Sequence, residues 1–164
     1  MTSTAALVPA RTTIARRGGP AYGAGVNGQG AQLGLAKVIA LRQTVLFGEL
    51  AYEDRCAVGE IAQPVTLGAE ETCVREGAPG DALYVVVEGA VRIERGGAVR
   101  STVRAPGVFG EMALLDGAPR TASVVATEAT RLLRIPRLEF EALLDESPEL
   151  VRGVIATLLG YLDG

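Results

Sequence analysis

The sequence predicts an α+β domain: an antiparallel sandwich or roll of short strands with helices at both ends. Three observations carry that expectation. Apolar residues recur at helical spacing (Leu35, Val38, Ile39, Leu41, Leu46, Phe47) ahead of any strand signal. Beyond Pro64 the apolar period shortens, and β-rich runs alternate with Gly, Pro or acidic turns about 8–12 residues apart. Beyond Pro136 helical spacing returns.

Taken in order, residues 1–33 read as a lead-in without a fold of its own. Seven glycines fall between Gly18 and Gly34, and no apolar periodicity offsets the entropy of ordering them. The run Gly23-Ala-Gly25-Val-Asn-Gly28 spells G-x-G-x-x-G, but that spacing works only after a buried strand. Arg-Gly-Gly-Pro-Ala-Tyr precedes it, so no dinucleotide site is expected. The domain proper is assigned to 34–164. A first helix begins near Leu35 and a second covers 52–62. Strands are expected at 65–67, 72–74, 83–87, 91–93 and 99–103 and, after an interruption, at 122–125 and 132–135. In Val91-Arg92-Ile93-Glu94 the alternation is strict, one face apolar and one charged. Pro136 suits the first turn of a helix that carries Phe140, Leu143 and Leu144 inward. Ser147-Pro148-Glu149 then opens another, with a capping serine and an acid near its positive end. That last helix has a wide apolar stripe, weakened by Gly153 and Gly160 at about 1 kcal/mol each.

Composition removes several functions. The chain has no histidine, which excludes histidine-based general base catalysis, histidine zinc sites, metal-dependent cupin chemistry and histidine-ligated haem. It has no tryptophan and seven aromatics in all, too few for a nucleic-acid stacking platform. Cys56 and Cys73 match no zinc ligand set and read as free thiols in a reducing, cytoplasmic setting. Residues 1–48 hold five of the sixteen basic residues and none of the nineteen acids, so the remainder carries a net charge of −8. Such a domain repels phosphate backbones, and no nucleic-acid partner is expected. No apolar run approaches the roughly 18 residues that span a bilayer.

One segment carries chemistry. From Val108 to Val124 the strand period breaks, a short helix fits 111–115, and Gly117-Ala-Pro119 turns the chain back into a strand. A helix start beside Gly110 offers backbone N–H groups to an anion, and Arg120 is placed to give a phosphate two hydrogen bonds. Glu111 next to an anion suits the site only as the acceptor of a hydroxyl, such as one on a sugar.

These residues resemble the phosphate-binding cassette of the cyclic nucleotide-binding domain family. The likeness lies in Phe109-Gly110-Glu111-Met112-Ala113-Leu114 and in Arg120-Thr121-Ala122-Ser123-Val124 after Pro119. A second family signature runs from Arg75 through Gly80-Asp81 to Glu88-Gly89. The resemblance implies an eight-stranded antiparallel β-roll of jelly-roll type, flanked by N- and C-terminal helices and holding a cyclic nucleotide monophosphate, cAMP or cGMP, with cAMP favoured. It implies that Glu111 accepts the ribose 2′-hydroxyl and Arg120 pairs with the phosphate. Gly110, Met112, Ala113, Thr121 and Ala122 would complete the cradle, Val87 would line the apolar pocket, and Tyr161 would cap the base. No metal, cofactor or catalysis is implied. The function expected is a sensor whose terminal helices respond to ligand, acting through a homodimer or a separate effector protein. The alternative is a degenerate, ligand-free roll used for protein interaction. Only about 28 residues follow Pro136, and two helices fill them, so no helix-turn-helix is expected there. Three departures stand out. Ala105-Pro106-Gly107 is one residue short of the family's usual turn, and Arg104 and Arg55 occupy normally apolar positions.

Overall fold

The computed structural model describes residues 28–112 and 116–163. Most of the expected lead-in, including all but the last glycine of the G-x-G-x-x-G run, lies outside them. Helix α1 (Gly28–Arg42) starts seven residues before Leu35, so the stretch 28–33 assigned to the lead-in is helical. It turns through residues 43–51 into α2 (Tyr52–Ile61). Buried Thr44 holds that turn: its hydroxyl donates to Leu41 O at 2.8 Å and accepts from the Phe47 N–H at 3.1 Å. Arg55 explains itself here, because its guanidinium donates to the carbonyls of Gly48 (3.1 Å) and Leu50 within the same turn.

Eight strands follow: β1 (Gln63–Leu67), β2 (Thr72–Val74), β3 (Ala82–Glu88), β4 (Ala90–Arg95), β5 (Ala98–Arg104), β6 (Gly107–Phe109), β7 (Ser123–Ala126) and β8 (Thr130–Pro136). They form two four-stranded antiparallel sheets, ordered β1-β8-β3-β6 and β2-β7-β4-β5. Strand β6 has no counterpart among the runs read from the sequence; three residues opening on a glycine give no usable period. The Ala105–Pro106 bond between β5 and β6 is cis. Strand β5 pairs with β4 through to Ala90↔Arg104, and Arg104 is exposed, so a charge there meets water.

Alternation along the strands makes two cores. Ala82, Tyr84, Val86, Val91, Phe109, Val124 and Leu132 fill the space between the sheets. Leu83, Val85, Leu133 and Ile135 face the other way, onto Leu41, Phe47, Val58, Phe140 and Leu150 of the helices. Phe47 and Phe140 meet edge to face, centroids 6.1 Å apart. Where β3 turns into β4, buried Thr130 satisfies buried Ala90: its hydroxyl accepts from the Ala90 N–H at 3.2 Å and donates to Glu128 O at 2.8 Å. Only glycine fits at 89, since a Cβ there would lie 2.5 Å from Ala129 O.

Helix α3 (Arg137–Glu146) buries Phe140 and Leu143, as its spacing predicts. Ser147 caps α4 (Pro148–Asp163), accepting the Leu150 N–H at 3.1 Å. Leu150 and Val154 are buried, whereas Ile155 and Leu159 are about half exposed. Gly153 has a packing reason: a Cβ there would lie 2.5 Å from the Leu50 side chain.

Candidate functional site

The described residues singled out between 109 and 122 gather where β6, β7 and the loop between β2 and β3 meet. Phe109 ends β6 inside the roll, its ring stacked on Tyr84 at 5.0 Å and 11°. The chain then passes through Gly110 at φ +84°, which an L side chain rarely adopts. A Cβ at 110 would also lie 2.9 Å from Arg120 Nη1 and 3.2 Å from Ala82 O, so the backbone approaches the guanidinium as closely as glycine alone permits.

Arg120 is fixed from both ends. Its N–H donates to Ala78 O at 2.7 Å, and its carbonyl accepts the Gly77 N–H at 2.8 Å. Its side chain is 8% exposed, with Nη2 donating to Ala82 O at 2.6 Å and 3.7 Å from Asp81 Oδ1. The guanidinium carbon lies 5.8 Å from the Tyr84 ring centroid, within cation–π range. Asp81 is drawn more firmly to Arg134, at 3.1 Å. The partner that holds Arg120 most closely is therefore a neutral carbonyl. Under these groups, burial pushes the Cys73 thiol up to about 11, against the pull of Tyr84, Arg120 and Arg134. Burial, and then Cys73, raises Tyr84 as well.

Beside the guanidinium lies a cleft of about 160 Å³. Gly110, Met112, Arg120, Thr121 and Ala122 line it together. Thr121 is further tied by its carbonyl to Arg95 Nε at 3.0 Å. Glu111 is half-buried next to the cleft but is not part of its wall. Ala113, with most of the expected helix at 111–115, and the side chain of Tyr161 lie outside the described residues.

Val87 is a correction. It packs against the helix-facing core with Leu83 and Val85, on the opposite side of β3 from Tyr84 and Val86. The apolar floor of the cleft comes instead from Val74, Ile93 and Val124, to which the sequence assigns no contact with a ligand. The alternation at 91–94 already put Ile93 on an inward face; what was missing was which end of that face borders the loop.

The exit of the loop is also tied down. Gly117, at φ +63°, lies against the Arg137 guanidinium, and a Cβ there would come within 2.7 Å of it. Arg137, the first residue of α3, donates its backbone N–H to Asp81 O at 2.8 Å and pairs with Glu141 at 2.8 Å. Among the described residues no three Cys, Asp or Glu side chains cluster as a metal site, and no helix is long and apolar enough to cross a membrane.

Residues 64–147 match the sequence profile of the cyclic nucleotide-binding domain. The chain is 35% identical over 115 residues to a cAMP-dependent protein kinase regulatory subunit of Aspergillus fumigatus, a match covering 68% of this chain and 28% of that one. Among solved structures it resembles the regulatory domain of Toxoplasma gondii PKA crystallised with cAMP (TM-score 0.61, 32% identity, 67% of this chain and 44% of that one). It also resembles the catabolite activator protein of Thermus thermophilus (TM-score 0.64, 34% identity, 73% and 58%). The chain thus spans little more than a quarter of the curated relative it matches.

Proposed function

Because this chain belongs to the cyclic nucleotide-binding domain family, we propose that it is a non-catalytic regulatory module that binds a cyclic nucleotide monophosphate, cAMP before cGMP, in the cleft beside Arg120. One observation carries the reading. A guanidinium 8% exposed lines a cleft while its closest partner is an uncharged carbonyl at 2.6 Å. A phosphodiester anion would replace that single bond to a neutral acceptor with two-pronged bonds between opposite charges. Gly110 leaves the backbone bare on that side, Glu111 is close enough in sequence to take a sugar hydroxyl, and Val74 and Ile93 offer an apolar bed. The preference for cAMP follows the Aspergillus and Toxoplasma relatives.

The cleft is about 160 Å³, below the roughly 300–1,000 Å³ of small-molecule sites. Seating a nucleotide therefore requires the loop or the Arg120 side chain to move. Arg137 gives such a movement a route, since it touches the loop at Gly117 and begins α3. The responding partner in this reading is a second copy or a separate effector.

Calorimetric titration with cAMP, cGMP and cyclic dinucleotides tests the proposal. A cyclic mononucleotide should bind, and Arg120→Ala should weaken it at least about tenfold, the lower end for losing a charged hydrogen bond. Equal affinity in the variant removes Arg120 from the site. No heat with any nucleotide favours the ligand-free reading, for which the Ala82 and Tyr84 contacts of Arg120 already give a reason.

A further inference from the structure

A larger hollow lies away from the cleft, in the corner between α2 and the α3–α4 junction. It has a volume of about 480 Å³. Its floor is apolar, formed by Ala57, Leu143 and Leu150, and its walls carry Glu53, Asp54, Glu60 and Glu146. Among the described residues, Lys37 donates to Ala62 O at 2.7 Å and Arg55 to the carbonyls of Gly48 and Leu50. Carboxylates line the walls of an apolar groove of the size of a few side chains.

The complementary charge is in the same chain. Before α1 the sequence carries Arg11, Arg16 and Arg17 with no acid. Apolar residues stand among them, Ile14 between Arg11 and Arg16 and Leu7-Val8 just ahead. Reach is sufficient. Lys37 of α1 meets Ala62 just past the end of α2, so α1 runs about 14 Å from that contact back to Gly28, and α2 is about 15 Å long. The 11 residues from Arg17 to Gly28 span up to about 36 Å, enough to return along both helices. We propose that the segment 7–17 docks in this groove, its arginines on Glu53, Asp54 and Glu60 and its aliphatic residues on the Ala57–Leu143–Leu150 floor. Ser147, which caps α4 and donates to Asp54 at 3.2 Å, lies in the same corner, so the docked segment clasps α2 to the start of the last helix. The inference is independent of nucleotide binding.

Cys56 lines the groove and reports its cover. In full-length protein carrying Cys73→Ser, the rate of Cys56 modification by a chromogenic disulfide is measured at low and high salt. Docking predicts a rate about fivefold slower than in the Arg11→Gln/Arg16→Gln/Arg17→Gln variant, corresponding to roughly 80% occupancy, with the difference erased near 1 M salt. Glu53→Lys/Glu60→Lys should abolish the protection. Equal rates in the parent and the tail variant, or protection that survives Glu53→Lys/Glu60→Lys, overturn the proposal. So does protection that grows with protein concentration, which would make the occupant a second copy's tail.

Discussion

Gly110→Ala puts the geometry of the cleft to a direct test. The substitution adds one methyl group, and two effects oppose it. Alanine at φ +84° sits in the left-handed region, costing roughly 1–2 kcal/mol. The new Cβ would lie 2.9 Å from Arg120 Nη1 and 3.2 Å from Ala82 O, pressing on the guanidinium and on the carbonyl to which its Nη2 donates. That bond, of a charged donor, is worth about 1.5–3 kcal/mol, and part of it is lost if the guanidinium retreats by a few tenths of an ångström. A total near 2 kcal/mol lowers the melting temperature by about 4–8 °C in a chain of this length. Affinity for a cyclic nucleotide should fall as well, by about tenfold or more, if its phosphate approaches Arg120 on the proposed side, where the methyl group would stand. Thermal unfolding followed by circular dichroism gives the first number and calorimetry the second. Gly34→Ala is the matched control. In α1, with nothing within 4 Å of its added Cβ, it should stabilise by up to about 1 kcal/mol. If Gly110→Ala melts and binds like the parent, Gly110 does not pack on the guanidinium and the site as described is wrong.

Two further expectations concern the roll itself. Thr130→Val keeps the shape but leaves the buried Ala90 N–H without its acceptor, so it should destabilise by about 1–3 kcal/mol; a melting temperature within error of the parent's would show that another group takes the bond. Cys73 titrates near 11 in the folded chain against about 9 ordinarily. The folded state therefore binds its proton more tightly, and this contribution is complete below pH 9 and lost as pH rises toward 11. Cys73→Ala should flatten the decline of melting temperature across that window, and an unchanged slope would place the thiol outside the buried cluster.

Much of this was legible because periodicity reports burial. The alternation at 91–94 placed β4, and the serine–proline start placed α4. Sequence failed where a face cannot be read from residue type. Val85, Val86 and Val87 are the same residue, and only pairing within the sheet shows that Val86 points into the roll while its neighbours point at the helices. The residue type of Val87 does not tell the two faces apart, and the floor of the cleft belongs to Val74, Ile93 and Val124. Strand β6 escaped because its three residues run straight into the loop. Arg55 and Gly153 are unexpected residues within their helices, yet each answers a neighbour outside its own helix: the turn carbonyls of Gly48 and Leu50, and the Leu50 side chain.

The ring of Tyr84 lies in parallel contact with Phe109 and has the Arg120 cation 5.8 Å from its centre, in a chain with four tyrosines and no tryptophan. A positive charge over one face of a phenol shifts its near-ultraviolet transitions. The protein thus contains an optical gauge of where that cation sits, undimmed by indole absorption. Difference spectra against Tyr84→Phe would isolate it without any label.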